Sequence, residues 1–209
     1  MTQRSTYHHG NLRAELIRCG KDLLTTEGIH NLTLRAVARA AGVSHGAPRN
    51  QFPDLNSLLA AIAAEGFDEL VSLREKALTR HKDAARRLKA ILGTYIDFAS
   101  ENPDLFWLMY GPHVKERHLH EDLTVASQRS YALLERCVFD YLRSIDLPKA
   151  CKPELVQCAW SAVHGMSMLF NNRPGPSSTV PTAMSFADWK EAVIKFTLTG
   201  LKSRASEIS

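Results

Sequence analysis

The chain has 209 residues, of which 44% are hydrophobic and 23% charged, and its formal net charge is +4. This composition is ordinary for a globular protein and excludes a wholly disordered chain, and no apolar run approaches the roughly 18–20 residues of a membrane span. Because the N-terminus lacks a signal-peptide core and the four cysteines form no CxxC pair, we expect a cytoplasmic protein with reduced thiols.

The positive charge is concentrated near the N-terminus. Residues 1–52 carry seven lysines and arginines against three acidic residues, whereas the remaining residues carry nineteen of each kind. A basic module on a neutral body favours a polyanion as the partner of that module. A solvated basic face would show the same pattern.

The chain is predicted to be all-α, with about nine helices, because apolar residues recur at helical spacing and no sustained alternation or hairpin turn is present. A first helix ends at Gly28, a second follows Thr33 and ends at Gly42, and Asp54 caps a longer third helix. Later helices are expected over residues 87–101, 121–145, 154–170 and 186–201. The proline-rich stretch 171–185 is expected to be an irregular loop.

The segment VSHGAPRNQF, residues 43–52, completes a helix-turn-helix. Gly42 supplies the turn, and Ser44 can cap a second short helix that runs to about Gln51. Pro48 falls in the first turn of this helix, where its missing N–H is tolerated. The second helix of such a motif enters the major groove of DNA. A helical hairpin used only for packing is the alternative.

The side chains expected to contact DNA surround this turn. Gly46 and Ala47 allow the backbone close to a duplex, while His45, Arg49 and Asn50 can reach base edges or phosphates. The predicted DNA-binding residues are Thr33, Arg35, Ser44, His45, Gly46, Ala47, Arg49 and Asn50.

Three stretches, TYHHGNLRAELI, EGIHNLTLRAVARAAGVSHGAP and FPDLNSLLAAIAAEGF, closely resemble the N-terminal domain of tetracycline-repressor (TetR) transcription regulators. AWSAVHG, residues 159–165, is similar to a Trp-x-x-x-His-Gly motif in the C-terminal domain of one branch of that family. The resemblance implies a DNA-binding domain in 1–53 and a ligand-binding and dimerisation domain in 54–209, linked by the helix that starts at Asp54. It also implies a dimeric repressor of palindromic operator DNA that a small molecule releases.

The chain departs from the family pattern at three positions. Arg49 stands where the family usually has tyrosine, Gln51 where it usually has histidine, and Leu55 where it often has lysine. The tyrosine and the lysine commonly contact phosphate, and Arg49 can replace the tyrosine contact with a charged one, whereas Leu55 has no such substitute. Gln51 and Leu55 motivate an alternative function, a helical adaptor with weakened DNA binding that acts through protein contacts.

The C-terminal body carries candidate ligand-binding residues. Trp160 and His164 are spaced i, i+4 and share a helix face, as a pocket wall or as a packed core pair. The stretch 105–113 is rich in aromatic residues and methionine, which suits either an apolar cavity for an effector or a plain core. The predicted ligand-binding residues are Phe106, Trp107, Tyr110, Trp160, His164, Met166 and Phe170.

The last two long helices are predicted to form a homodimer interface. They carry small residues at close spacing among bulky apolar ones, which is typical of a symmetric four-helix contact.

Neither a cofactor nor a metal site is predicted, since the histidines and acids of 113–122 fit no helix face and favour a solvated loop. The sequence also contains none of the GxSxG, P-loop, HExxH and GxGxxG motifs, so we do not expect an enzyme.

Overall fold

The structure is a computed structural model that describes residues 12–147, 149, 151–171 and 184–207. These residues form eight α-helices and three short 3-10 segments without any β-strand, which confirms the all-α prediction. The helices are α1 (Leu12–Glu27), α2 (Leu34–Ala40), α3 (Leu55–Leu78), α4 (Ala84–Glu101), α5 (Pro103–Tyr110), α6 (Glu121–Ser144), α7 (Pro153–Asn171) and α8 (Phe186–Glu207). Most of the predicted loop 171–185, and the first six residues of the TYHHGNLRAELI stretch, lie outside the described residues.

Local side-chain chemistry sets where the N-terminal helices begin. The hydroxyl of Thr33 accepts a hydrogen bond from the backbone N–H of Ala36 at 3.1 Å, and the carboxylate of Asp54 accepts one from that of Ser57 at 2.7 Å. Each bond satisfies an N–H that the helix itself leaves unpaired. Gly42 has φ 66°, the left-handed conformation predicted for the turn after α2. Both predicted caps and the predicted turn glycine are therefore confirmed.

The predicted helix over 44–51 is wrong. The structure has instead a four-residue 3-10 segment, Ala47–Asn50, whose N-cap is Gly46 and whose start makes no side-chain capping bond, so Ser44 does not cap it. Pro48 has no N–H to bond the carbonyl of Ser44, as an α-helix would require, and it disfavours the α conformation at Ala47. The segment closes through i to i+3 bonds instead, such as that from the N–H of Ala47 to the carbonyl of Ser44 at 3.0 Å.

The chain divides into two compact units. The first contains the described residues as far as Gly66 together with Asp104–Val125, and the second contains Phe67–Pro103 and the residues from Ala126 onward. In the first unit α1 approaches α3 closely, since a Cβ placed on Gly20 would lie 2.7 Å from Ile62 Cδ1. In the second unit α4 packs against both α7 and α8. No helix within the described ranges has both the length and the apolar character of a membrane span.

Candidate DNA-binding surface and ligand site

The turn after α2 presents polar side chains to solvent while two apolar ones hold it in place. Pro48 and Phe52 are buried, whereas Ala47 is half-buried. The exposed residues of this segment are Ser44, His45, Gly46, Arg49, Asn50 and Gln51. Because burial of Pro48 and Phe52 anchors the turn to the core, its polar side chains are displayed on a fixed backbone. All the predicted DNA-binding residues of the turn except Ala47 are therefore exposed.

Exposed arginines flank this turn. Arg35 and Arg39 lie on α2 and Arg49 lies in the 3-10 segment, and none of the three side chains makes a hydrogen bond or an ion pair within the described ranges. By contrast, Arg13 of the same unit is ion-paired to Asp122 at 2.8 Å. Three unneutralised guanidinium groups on one short stretch suit the binding of a phosphate backbone.

Arg39 is absent from the sequence-predicted set although its exposure matches that of Arg35. The signal that could have found it is the i, i+4 spacing, which places Arg35 and Arg39 on one face of α2. Thr33 is also exposed, and its hydroxyl oxygen serves as the cap of α2.

The Trp160–His164 pair converges on one buried hydroxyl in the second unit. The indole N–H of Trp160 donates to Tyr95 Oη at 3.4 Å, and the same hydroxyl lies 2.7 Å from His164 Nδ1. With the indole donating to its oxygen, the tyrosine hydroxyl can donate to Nδ1 of a neutral imidazole. Burial also lowers the pKa of His164. The two motif side chains thus form, with Tyr95, a hydrogen-bonded cluster between α7 and α4.

A buried arginine completes this cluster. Arg74 of α3 is 2% exposed, and its guanidinium carbon lies 4.9 Å from the centroid of the Tyr95 ring. Its Nη1 donates to the hydroxyl of Ser130 at 3.2 Å. Sequence reasoning missed both Arg74 and Tyr95. The available signal was an arginine four residues after Leu70, on the apolar face of its helix.

The structure divides the predicted ligand residues between the two units. Phe106, Trp107 and Tyr110 belong to the first unit, whereas Trp160, His164, Met166 and Phe170 belong to the second. Phe106 packs against Tyr110 with ring centroids 4.9 Å apart, and Phe170 packs against Phe186 at 4.6 Å. The predicted set is therefore divided between two units, and within it Trp160 and His164 share the Tyr95 hydroxyl as a hydrogen-bonding partner.

A shallow apolar groove of about 210 Å³ runs between α7 and α8. Its lining includes Leu155, Cys158, Ala159, Ala162, Phe196 and Gly200. Phe196 is 75% exposed and Leu169 is 59% exposed. An exposed apolar face of this kind, with small residues beside a large aromatic one, is typical of a surface that another chain covers.

The stability of the protein should decrease as pH falls through the titration range of His164. Burial lowers the pKa of His164 in the folded state, so the unfolded chain takes up this proton first. Its contribution to stability is therefore complete above the pKa of the unfolded chain and is lost as pH falls through the folded-state pKa. The free energy of unfolding should be measured with urea at about pH 7.5 and about pH 5.5. It should decrease less between these pH values in His164→Gln than in the wild type.

The exposed His30 provides a matched control for that measurement. His30→Gln should lose as much stability on acidification as the wild type. An equal pH dependence in the wild type and in His164→Gln would contradict the prediction.

Residues 88–187 match the family described as "Tetracyclin repressor-like, C-terminal domain". Over 88 residues the chain is 34% identical to the HTH-type transcriptional regulator BetI of Serratia proteamaculans, which covers 41% of this chain and 44% of that protein. The chain therefore spans less than half the length of this relative.

Solved structures share the fold over almost the whole chain. A protein of unknown function from Rhodococcus sp. RHA1 has a TM-score of 0.71 and 28% identity, and the match covers 95% of this chain and 98% of that one. The TetR family transcriptional regulator PfmR from Thermus thermophilus has a TM-score of 0.56 and 16% identity, covering 90% of this chain and 97% of that one. The latter identity supports a common fold alone.

Proposed function

The chain belongs to the TetR family, which consists of transcriptional regulators and not of enzymes, and on this premise we propose that it is a ligand-responsive repressor. It binds palindromic operator DNA as a homodimer and is released when a small-molecule effector binds. Residues 1–53 serve as the DNA-binding domain and residues 54–209 as the ligand-binding and dimerisation domain. A regulator of this kind works in the cytoplasm, where its operator lies.

The exposed arginines around the turn carry the proposal. Arg35, Arg39 and Arg49 have no acidic partner within the described ranges, so no internal ion pair has to break before they bind phosphate. Phosphate contacts give affinity and register. The neighbouring His45 and Asn50 are exposed and can supply hydrogen bonds to base edges in the major groove.

The α7–α8 groove supports a homodimer built on the last two helices. Regulators of this family bind DNA and form dimers. A two-fold axis through this face would bury Phe196 of each protomer against the partner's small residues, among them Ala162 and Gly200. Such a dimer presents the DNA-binding segment of each protomer to one of two half-sites, which lie one turn of the DNA helix apart.

The cluster around Tyr95 supports an effector site in the body. The hydroxyl of Tyr95 and the guanidinium of Arg74 are buried and the imidazole of His164 is half-buried, so an effector with an apolar body and one hydrogen-bonding group would suit this cluster. Such a ligand acts by binding more tightly to the conformation whose DNA-binding domains no longer fit the operator. Its effect is limited by that difference in affinity.

Selection of binding sites from random duplex DNA tests the proposed function. We expect enrichment of a palindrome whose affinity, measured by fluorescence anisotropy, falls about a thousandfold between about 50 and about 200 mM salt if each protomer makes three phosphate contacts. If no sequence is enriched from protein refolded free of ligand, the DNA-binding proposal fails. That result would favour the adaptor suggested by Gln51 and Leu55.

A further inference from the structure

The side-chain amide of Asn56, in the first turn of α3, hydrogen-bonds both backbone groups of one residue in the loop between α5 and α6. Asn56 Oδ1 accepts a hydrogen bond from the backbone N–H of Lys115 at 2.8 Å, and Asn56 Nδ2 donates to the carbonyl of Lys115 at 3.2 Å. These two bonds determine which end of the amide is oxygen and which is nitrogen.

The same amide nitrogen also contacts a histidine. Asn56 Nδ2 lies 2.9 Å from His120 Nε2, and because Nδ2 can only donate, Nε2 must accept. The imidazole is therefore neutral, with its proton on Nδ1. A protonated His120 would present an N–H to the amide N–H. Flipping the amide would place Asn56 Oδ1 where it could accept from the protonated Nε2, but it would break both bonds to Lys115.

Charged groups around His120 offer the protonated ring an alternative position. Asp54, the cap of α3, interacts electrostatically with His120. Arg13 of α1 and the acids Glu121 and Asp122 of α6 line the same cavity of about 270 Å³, and Arg13 is already ion-paired to Asp122 at 2.8 Å. An imidazolium would thus be repelled by the amide and attracted by the carboxylates, in particular those of Asp54 and Glu121.

The loop is held in a conformation that it would not readily adopt alone. Glu116, next to Lys115, has φ 47° and ψ 47°, and this left-handed region is unfavourable for a residue other than glycine. On its far side, Arg117 Nη2 donates to the carbonyl of Met109 at 2.6 Å. Contacts on both sides therefore hold Glu116 in place, and the orientation of the Asn56 amide that makes both bonds to Lys115 is matched to a neutral His120.

We propose that Asn56 and His120 form a pH-sensitive clamp that positions the start of α3 directly behind the DNA-contacting turn, and that protonation of His120 opens it. Gln51 and Phe52, at the end of that turn, line the same cavity as His120. Opening the clamp loosens the support of the turn and weakens DNA binding. The effect on DNA rests on the proposed function, whereas the opening of the clamp does not.

Amide exchange of the full-length protein tests the clamp directly. In the wild type, exchange of the Lys115 amide measured by NMR, corrected for its intrinsic pH dependence, should accelerate about tenfold between about pH 8 and about pH 5.5. In His120→Gln the acceleration should disappear, because the glutamine carbonyl can accept from Asn56 and does not titrate. Asn56→Ala should exchange rapidly at both pH values.

His118 supplies the matched control, since it is exposed in the same loop. His118→Gln should keep the pH response of the wild type. Unchanged exchange of the Lys115 amide in the wild type on acidification, or an equal acceleration in His120→Gln, would overturn the proposal.

A second experiment measures DNA affinity with the duplex obtained by selection. The wild type should lose about tenfold more affinity than His120→Gln over the same pH range. Equal losses, together with a clamp that opens in the exchange experiment, would show that the clamp does not position the DNA-binding turn. If no duplex is enriched, the proposed function fails, and the exchange experiment still decides whether the clamp exists.

Discussion

Replacing Phe196 by aspartate should convert the proposed homodimer to a monomer at micromolar concentration and reduce operator affinity more than a hundredfold. The side chain is 75% exposed beside the α7–α8 groove, so the free protomer should tolerate the change. In a two-fold dimer each interface would bury two unpaired carboxylates, and each of these costs several kcal/mol. Sedimentation velocity would measure the oligomeric state, and fluorescence anisotropy would measure the affinity.

Lys195→Asp is the control for this substitution. Lys195 is the exposed neighbour of Phe196 on α8 and does not line the groove, so the variant should remain dimeric although it too introduces an aspartate. A Phe196→Asp protein that still sediments as a dimer would place the interface elsewhere on the chain.

Reversing the charge of Arg49 should lower operator affinity about a hundredfold, because each half-site loses one phosphate contact and gains a repulsive carboxylate. The dependence of log affinity on log salt should become shallower by about two, one contact for each protomer. The turn itself should keep its fold, since the Arg49 side chain makes no hydrogen bond or ion pair within the described ranges and Pro48 and Phe52 anchor the segment. A salt titration of Arg49→Glu against the selected duplex measures both quantities.

Arg80→Glu is the control that distinguishes the loss of a local phosphate contact from the effect of net charge on operator affinity. Arg80 is an exposed arginine just beyond the end of α3, outside the candidate DNA-binding surface. Its reversal changes the net charge by the same amount and should alter affinity only slightly. Equal losses in Arg49→Glu and Arg80→Glu would mean that overall charge, and not the turn, controls binding.

Features that depend on neighbouring residues in the sequence were predicted well. The caps at Thr33 and Asp54 and the turn at Gly42 each involve partners within three or four residues, and all three appear in the structure. The all-α class was predicted from apolar residues at helical spacing, and such spacing involves residues three or four apart in the chain. The error at the second helix of the motif was also local. Pro48 was judged tolerable at the start of a helix, but the segment is too short to continue past the bond that proline removes.

Features that join distant residues could not be predicted from sequence spacing. Tyr95 lies 65 residues from Trp160 and 69 from His164, and no periodicity links them. The i, i+4 pair on α7 was visible in the sequence, whereas the hydroxyl that joins it to α4 was assigned only to an apolar helix face. Asn56 and Lys115 are likewise 59 residues apart. Such pairs depend on how helices pack against one another, which side-chain type alone does not determine.

The anchoring of the turn by Pro48 and Phe52 has a consequence for how this protein can diversify. The residues that hold the turn and the residues that would meet DNA are different residues, with the first set buried and the second exposed. Exposed substitutions away from caps and strained sites usually change stability by less than about 0.5 kcal/mol. Changes at His45, Arg49 or Asn50 can therefore accumulate after gene duplication without a loss of folded protein. Copies of such a gene could come to control different promoters while their folding and assembly stay the same.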